Sequence, residues 1–164
     1  MLFRSYFGRI NPDWIAVSGW SCGGLQALQV AADPRVHAVI IHNSGIFKPS
    51  ANPIAGMDIS KSALQTLHTP VLYILGGPTD IAYANGMDDF RQISRVPAVV
   101  ANLNVGHGGT FMEPNGGRAA AVAVDWLDWQ LKHNPRAAKR FVGAGCGLCK
   151  DPEWKLQSKN MSQL

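Results

Sequence analysis

Residues 19–23 read Gly-Trp-Ser-Cys-Gly, a G-x-S-x-G pentapeptide with a further glycine at 24. That spacing suits a serine nucleophile. Ser21 would stand at the tip of a turn so tight that the positions two residues to either side, Gly19 and Gly23, cannot carry bulk. The turn lifts the hydroxyl clear of the chain and aims the next backbone N–H, that of Cys22, at a developing oxyanion. A serine hydroxyl needs a base to accept its proton, and the base needs an acid to orient it. Asp80, in Gly-Gly-Pro-Thr-Asp, and His107, in Val-Gly-His-Gly-Gly-Thr, supply both in the chain order Ser, Asp, His that this kind of turn uses. The predicted catalytic set is therefore Ser21, Asp80 and His107, with Cys22 in the oxyanion hole. The chemistry asks for no cofactor and no metal.

Each of these residues has competitors. Asp80 also reads as an ordinary turn acid. Asp88 and Asp89 are alternatives, but a position in the first turn of a helix accounts for them without function. His37 falls inside an apolar run, and His68 and His133 fall at helix ends. His42 is the stronger rival, because it follows the second apolar run and would line a pocket there. The Cys22 side chain reads as a small buried filler. Trp20 either walls an acyl pocket or simply packs. Asn43, with Ser44 and Gly45, sits where a substrate could be touched. The candidates for substrate contact are Trp20, His42 and Asn43.

The elements that must position these groups are visible as four short apolar runs at 14–18, 36–41, 71–75 and 97–103. They are rich in β-branched residues and nearly continuous rather than alternating, the pattern of strands buried on both faces of a parallel sheet. Between them, Leu25, Leu28 and Ala32 share a helical face closed by Asp33-Pro34. Ile59, Ala63 and Leu67 share another, stopped by Pro70. Asn85 can cap a helix carrying Met87, Phe90 and Ile93. A longer helix is predicted from about Gly117 to His133, with Val122, Trp126 and Trp129 inward and an Asp128–Lys132 pair outward. Asn134-Pro135 then starts a short helix ending near Gly143. The alternation defines an α/β chain with a doubly wound, mostly parallel sheet of about four strands and flanking helices. Ser21, Asp80 and His107 each follow a strand, so all three fall at one edge of that sheet. The longest irregular stretch, 42–58, is a candidate lid or substrate loop. Residues 150–164 read as a polar, basic tail, loosely held.

Composition bounds the function. The chain has 164 residues, 46% of them apolar, which suits one globular domain. Only 16% are charged, and there are 17 glycines and 10 prolines, which fits buried strands and tight turns. The net charge of +4 belongs to the end of the chain, where seven Lys or Arg face two acids from Leu131 onward. No basic stripe interleaved with aromatics points to nucleic acid, and no apolar stretch approaches a membrane span. The first residues lack the apolar core of a leader peptide. Of the three cysteines, Cys146 and Cys149 form a C-x-x-C, read as a local disulfide or as two free thiols.

With these residues in view, the chain resembles the α/β-hydrolase fold family, and within it the Ser-Asp-His hydrolases. The resemblance rests on Asn11–Gly24 (NPDWIAVSGWSCGG), Pro70–Asp80 (PVLYILGGPTD) and Asn104–Phe111 (NVGHGGTF). It is nearest to the dienelactone-hydrolase-like and prolyl-oligopeptidase-like branches. The stretches Gly77–Phe90 and Cys146–Trp154 are similar to uncharacterised secreted fungal hydrolases. The resemblance implies Ser21 as nucleophile, His107 as general base and then acid, Asp80 as its orienter, and a small-molecule ester as partner. It also implies that residues 1–149 correspond to the C-terminal part of such a domain, because the family places several strands and a second oxyanion donor before the nucleophile strand. Other readings stay open: a serine peptidase of the prolyl-oligopeptidase kind, or a non-catalytic fragment of the fold. Localisation stays open too, with secretion of a longer form in view, and so does the oligomeric state.

Overall fold

The apolar runs form four parallel strands: β1 (Ile15–Trp20), β2 (Val36–His42), β3 (Val71–Leu75) and β4 (Ala98–Leu103). The computed structural model describes residues 8–48 and 52–163. The chain start read for a leader, and 49–51 within the irregular stretch, lie outside the described residues. The strands lie side by side in chain order, and a fifth, β5 (Trp154–Lys159), joins β4 antiparallel. β2, β3 and β4 are almost wholly buried, as their continuous apolar sequence demands. Among the described residues β1 lies at the opposite edge from β5 and is only half-buried.

Alternate residues feed two cores. Val39, Ile41, Tyr73 and Val100 face one side, covered by α1 (Cys22–Val30), α2 (Tyr83–Gln92) and a 3₁₀ turn at Lys61–Gln65. Ile40, Leu72, Ile74 and Val99 face the other, covered by α3 (Gly117–Lys132), α4 (Pro135–Ala138) and α5 (Gly147–Lys150). Trp126 of α3 is wholly buried and meets Phe141 edge-on at 5.2 Å. The three parallel steps, β1 to β2 to β3 to β4, all move in one direction across the sheet. Crossovers of one hand therefore lie on one face, and the chain after β4 closes the other. The result is an α/β sheet with helices on both faces and with the loops after β1, β2, β3 and β4 at a common edge.

Several local expectations are corrected. The segment after Lys150 is not loose, because β5 pairs with β4 from Ala98↔Lys159 to Leu103↔Trp154. Trp154 is buried and Leu156 packs on the second core, while Lys155, Gln157 and Ser158 face solvent. Lysines and polar residues on an outer strand block further strand addition, and they also hide the strand from a search for apolar runs. Lys159 lies 4.9 Å from the Phe90 ring centroid and donates to the Arg91 carbonyl. The helix expected around Ile59–Leu67 is a single 3₁₀ turn that buries Leu64, and Thr66 Oγ1 donates back to the Ala63 carbonyl at its end. Asn85 lies inside α2, which starts at Tyr83, so Asp88 and Asp89 are not in its first turn. Ala32 is exposed, and Ala31 takes its place in the core. Asn134 caps α4 as expected, accepting from Arg136 N, but that helix ends at Ala138. Cys146 and Cys149 are joined in a disulfide.

The β4–β5 pairing has a direct consequence for hydrogen exchange. Amides of 155–159 that donate to β4 should exchange far more slowly than those of an unstructured peptide. Exchange mass spectrometry checks this, and coil-like rates across 154–159 would contradict the pairing.

Candidate active site

Ser21 adopts φ 53°, ψ −120°, a conformation that L residues seldom take. Its neighbours explain how it persists. A Cβ on Gly19 would come within 2.0 Å of the Gly23 carbonyl oxygen, so the strand end and the helix start touch through backbone alone. A Cβ on Gly24 would lie 2.5 Å from the Ser44 Cβ. Gly23 itself faces open space, so the second steric requirement, expected at 23, falls on 24. Ser21 N donates to the His42 carbonyl (3.0 Å), and the Ser21 carbonyl accepts from Ser44 Oγ (2.6 Å) and Gly24 N (3.0 Å). The Ser21 side chain makes no capping bond to α1 and is left to turn outward. α1 begins at Cys22, so that residue's N–H is among the helix-start donors that have no partner within the helix.

Above the turn, Ser21 Oγ lies 3.0 Å from His107 Nε2, and His107 Nδ1 lies 2.7 Å from Asp80 Oδ1. Asp80 is buried, with 3% of its surface exposed, and it accepts from several donors. Oδ1 also takes Ala82 N (2.9 Å), and Oδ2 takes Gly76 N (3.2 Å) and Asn43 Nδ2 (3.0 Å). A carboxylate so surrounded only accepts. It therefore fixes the proton on Nδ1 of His107 and leaves Nε2 free to accept from the serine hydroxyl. The loops that carry Asp80 and His107 are locked together. Val105 N and Gly106 N both donate to the Gly76 carbonyl, and a Cβ on Gly76 would meet the Gly106 oxygen at 2.0 Å.

The residues expected to touch substrate have different places. Asn43 lines the cavity beside Ser21, but its amide is spent on Asp80 and on the Gly106 carbonyl (3.0 Å), so it holds the acid and the histidine loop. Trp20 is not in the cavity wall. Its indole N–H donates to the His107 carbonyl (2.9 Å), and its ring lies 5.3 Å from the imidazole, so it braces the histidine loop from outside. His42 is also outside the cavity wall, buried against Phe111 at 5.5 Å. Burial lowers its pKa to about 4, so it stays neutral near pH 7. Cys22 is exposed, free and in the cavity wall, which corrects the reading of a buried filler. Among the described residues, no cluster of three or more His, Cys, Asp or Glu is placed to hold a metal.

The cavity has a volume of about 300 Å³. Ser21, Cys22, Asn43, Ser44, Asn85 and His107 contribute polar groups to its lining, and Phe47, Pro53, Ile54, Ile81 and Ala82 contribute apolar carbon. The irregular segment after β2 that brings Phe47 and Ile54 here is anchored by Asp89, which in the sequence reads as a helix-start acid. Asp89 is fully buried on α2 and accepts from Ile46 N (2.8 Å), Tyr73 Oη (3.3 Å) and Lys61 Nζ (2.5 Å). Lys61 also reaches Asp88 at 2.9 Å. Burial raises the Asp89 pKa to about 6 despite Lys61, and burial with the neighbouring Asp89 charge raises Tyr73 well above the usual phenol value.

No protein-family model matches the chain, and no curated protein matches it. Among solved structures, it is similar to a dienelactone hydrolase from Anabaena variabilis, with 26% identity and a TM-score of 0.51. The match covers 71% of this chain and 49% of that one, so this chain spans about half the length of that neighbour. The five-stranded, mostly parallel sheet with its serine turn has the α/β-hydrolase type of fold.

Two outcomes follow from the anchoring contacts. Asn43→Ala leaves Asp80 and the Gly106 carbonyl each short of a donor, and should cost about 1–3 kcal/mol in urea unfolding. A neutral result would show the amide to be dispensable. For Asp89 the folded pKa is raised, so its proton stays on in the folded chain after the unfolded chain has lost it. Its contribution to stability is full below about pH 4 and falls as pH rises towards 6, by up to about 3 kcal/mol. Unfolding of wild type and Asp89→Asn at stepped pH should therefore show the wild-type advantage shrinking across that window. An advantage that grows with pH would contradict the assignment.

Proposed function

We propose that this chain carries the reacting groups of a serine hydrolase that cleaves carboxylic esters through an acyl-enzyme. The single observation behind the reading is the continuous hydrogen-bonded run from Asp80 through His107 to Ser21, ending on a strained turn at the mouth of a cavity. Likeness to a protein described as a dienelactone hydrolase supports hydrolysis as the reaction class.

In this reading His107 Nε2 takes the hydroxyl proton as Ser21 Oγ attacks the ester carbonyl carbon. The carbonyl oxygen becomes an oxyanion and is met by the Cys22 N–H at the positive end of α1. Asp80 stays ionised and stabilises the imidazolium that forms. The imidazolium then gives its proton to the departing alkoxide, which leaves as alcohol, and the acyl group remains on Ser21. Water enters, gives a proton to Nε2 and attacks the acyl carbon. Collapse of the second oxyanion releases the carboxylic acid and returns the proton to Ser21 Oγ.

Labelling of the folded chain with a fluorophosphonate tests the reading. Mass mapping should place one adduct on Ser21, and Ser21→Ala should abolish it. Asp80→Asn should slow labelling by on the order of 10⁴, because the imidazole loses its orientation and tautomer. A folded chain that does not label would instead be a non-catalytic α/β scaffold. Short p-nitrophenyl esters set against proline-containing peptides separate an esterase from a peptidase.

A further inference from the structure

Much of the cavity wall has a chemistry that the reacting groups do not explain. Leu25, Phe47, Pro53, Ile54 and Ile81 present aliphatic and aromatic carbon to the cavity, from α1, from the segment after β2 and from the loop before α2. Of the neutral polar side chains in the wall, Asn43 is committed to Asp80 and Gly106 and Ser44 to the Ser21 carbonyl, while Asn85 adds an uncharged amide that offers a carboxylate no countercharge. No lysine or arginine lines the cavity among the described residues. Lys61, on the same wall-forming segment, is turned away into Asp88 and Asp89. The buried Asp80 lies just behind Asn43 and His107.

A carboxylate carried into this space would lose its water without gaining a cation, which is among the costliest changes a polar group can undergo. It would also approach Asp80, a like charge. An alkyl chain would lose only unfavourable hydration. At about 300 Å³ the cavity is at the small end of the roughly 300–1,000 Å³ typical of small-molecule sites, which suits a compact group. We propose that this cavity selects esters with a compact, uncharged aliphatic acyl group and rejects those whose acyl group bears a carboxylate. The proposal rests on the ester-hydrolase reading above and names the substrate class of that site.

Binding to the full chain with Ser21 replaced tests selection apart from turnover. Ser21→Ala serves, with Ser21→Gly beside it because the positive φ there favours glycine. Methyl hexanoate and monomethyl adipate differ mainly in a terminal methyl against a terminal carboxylate. Ligand-observed NMR should show saturable binding of methyl hexanoate, with monomethyl adipate at least about tenfold weaker. Ile54→Arg, which places a cation in the wall, should narrow or reverse the preference. Equal or tighter binding of the half-ester by the Ser21 variants would overturn the proposal, as would no saturable binding of methyl hexanoate. If Ser21 of the wild type labels while the half-ester is preferred, the acyl assignment fails and the hydrolase reading stands. If methyl hexanoate is selected but Ser21 never labels, the hydrolase reading fails and the apolar selectivity stands.

Discussion

Holding Ser21 at φ 53°, ψ −120° costs on the order of 1–3 kcal/mol, and it persists because the chain on both sides leaves it no alternative. Its N–H is taken by the end of β2, and its carbonyl by Ser44 and Gly24. Gly19 touches the backbone of Gly23, and Gly24 fits under Ser44. None of these contacts involves the hydroxyl. The constraint therefore fixes where the side chain points while leaving its oxygen free, which is what a nucleophile requires. Either glycine replaced by a larger residue would push against backbone or against Ser44, and the turn would relax.

Everything else at this edge extends that constraint outward. Ser44 and Asn43 follow β2 directly, and one supports the serine while the other supports the acid. Asp80 reaches across from the loop after β3, and its remaining acceptor positions are filled by Gly76, Ala82 and Asn43. His107 arrives from the loop after β4, tied to Gly76 through the backbone and braced by Trp20. Four adjacent strands thus each contribute a part, and the parallel register brings together groups up to 87 positions apart in the chain. The arrangement needs the strands in their observed order, because each loop leans on the next.

Much of this was legible in the residues. The three inner strands read clearly because burial on both faces demands unbroken apolar runs, and α3 read clearly because its inward residues recur at helical spacing. Ser21, Asp80 and His107 were legible because a tight turn needs glycine and each residue follows a strand. What escaped lacks such a local signature. β5 alternates lysine, glutamine and serine with Leu156, a pattern that solvent on one side and β4 beside it explain only after folding. Asp89 looked like a helix-start acid, and its burial depends on Ile46, Lys61 and Tyr73, which come from three other segments. Trp20 and His42 stand at strand ends, where contact with substrate and plain packing were both open, and the loops that pack there direct the Trp20 indole to the His107 carbonyl and His42 against Phe111. Asn43 lines the cavity where a substrate contact was expected, and its hold on Asp80 depends on a partner 37 positions away.

The central claim is that Asp80, His107 and Ser21 form one hydrogen-bonded unit in the resting protein. Proton NMR of chain carrying ¹⁵N-labelled histidine tests it most directly. The account predicts a far-downfield ring proton bonded to Nδ1 of His107 at neutral pH, retained in Ser21→Ala and lost in Asp80→Asn. A His107 whose ring protons exchange with water like those of a free imidazole, indifferent to Asp80, would contradict it.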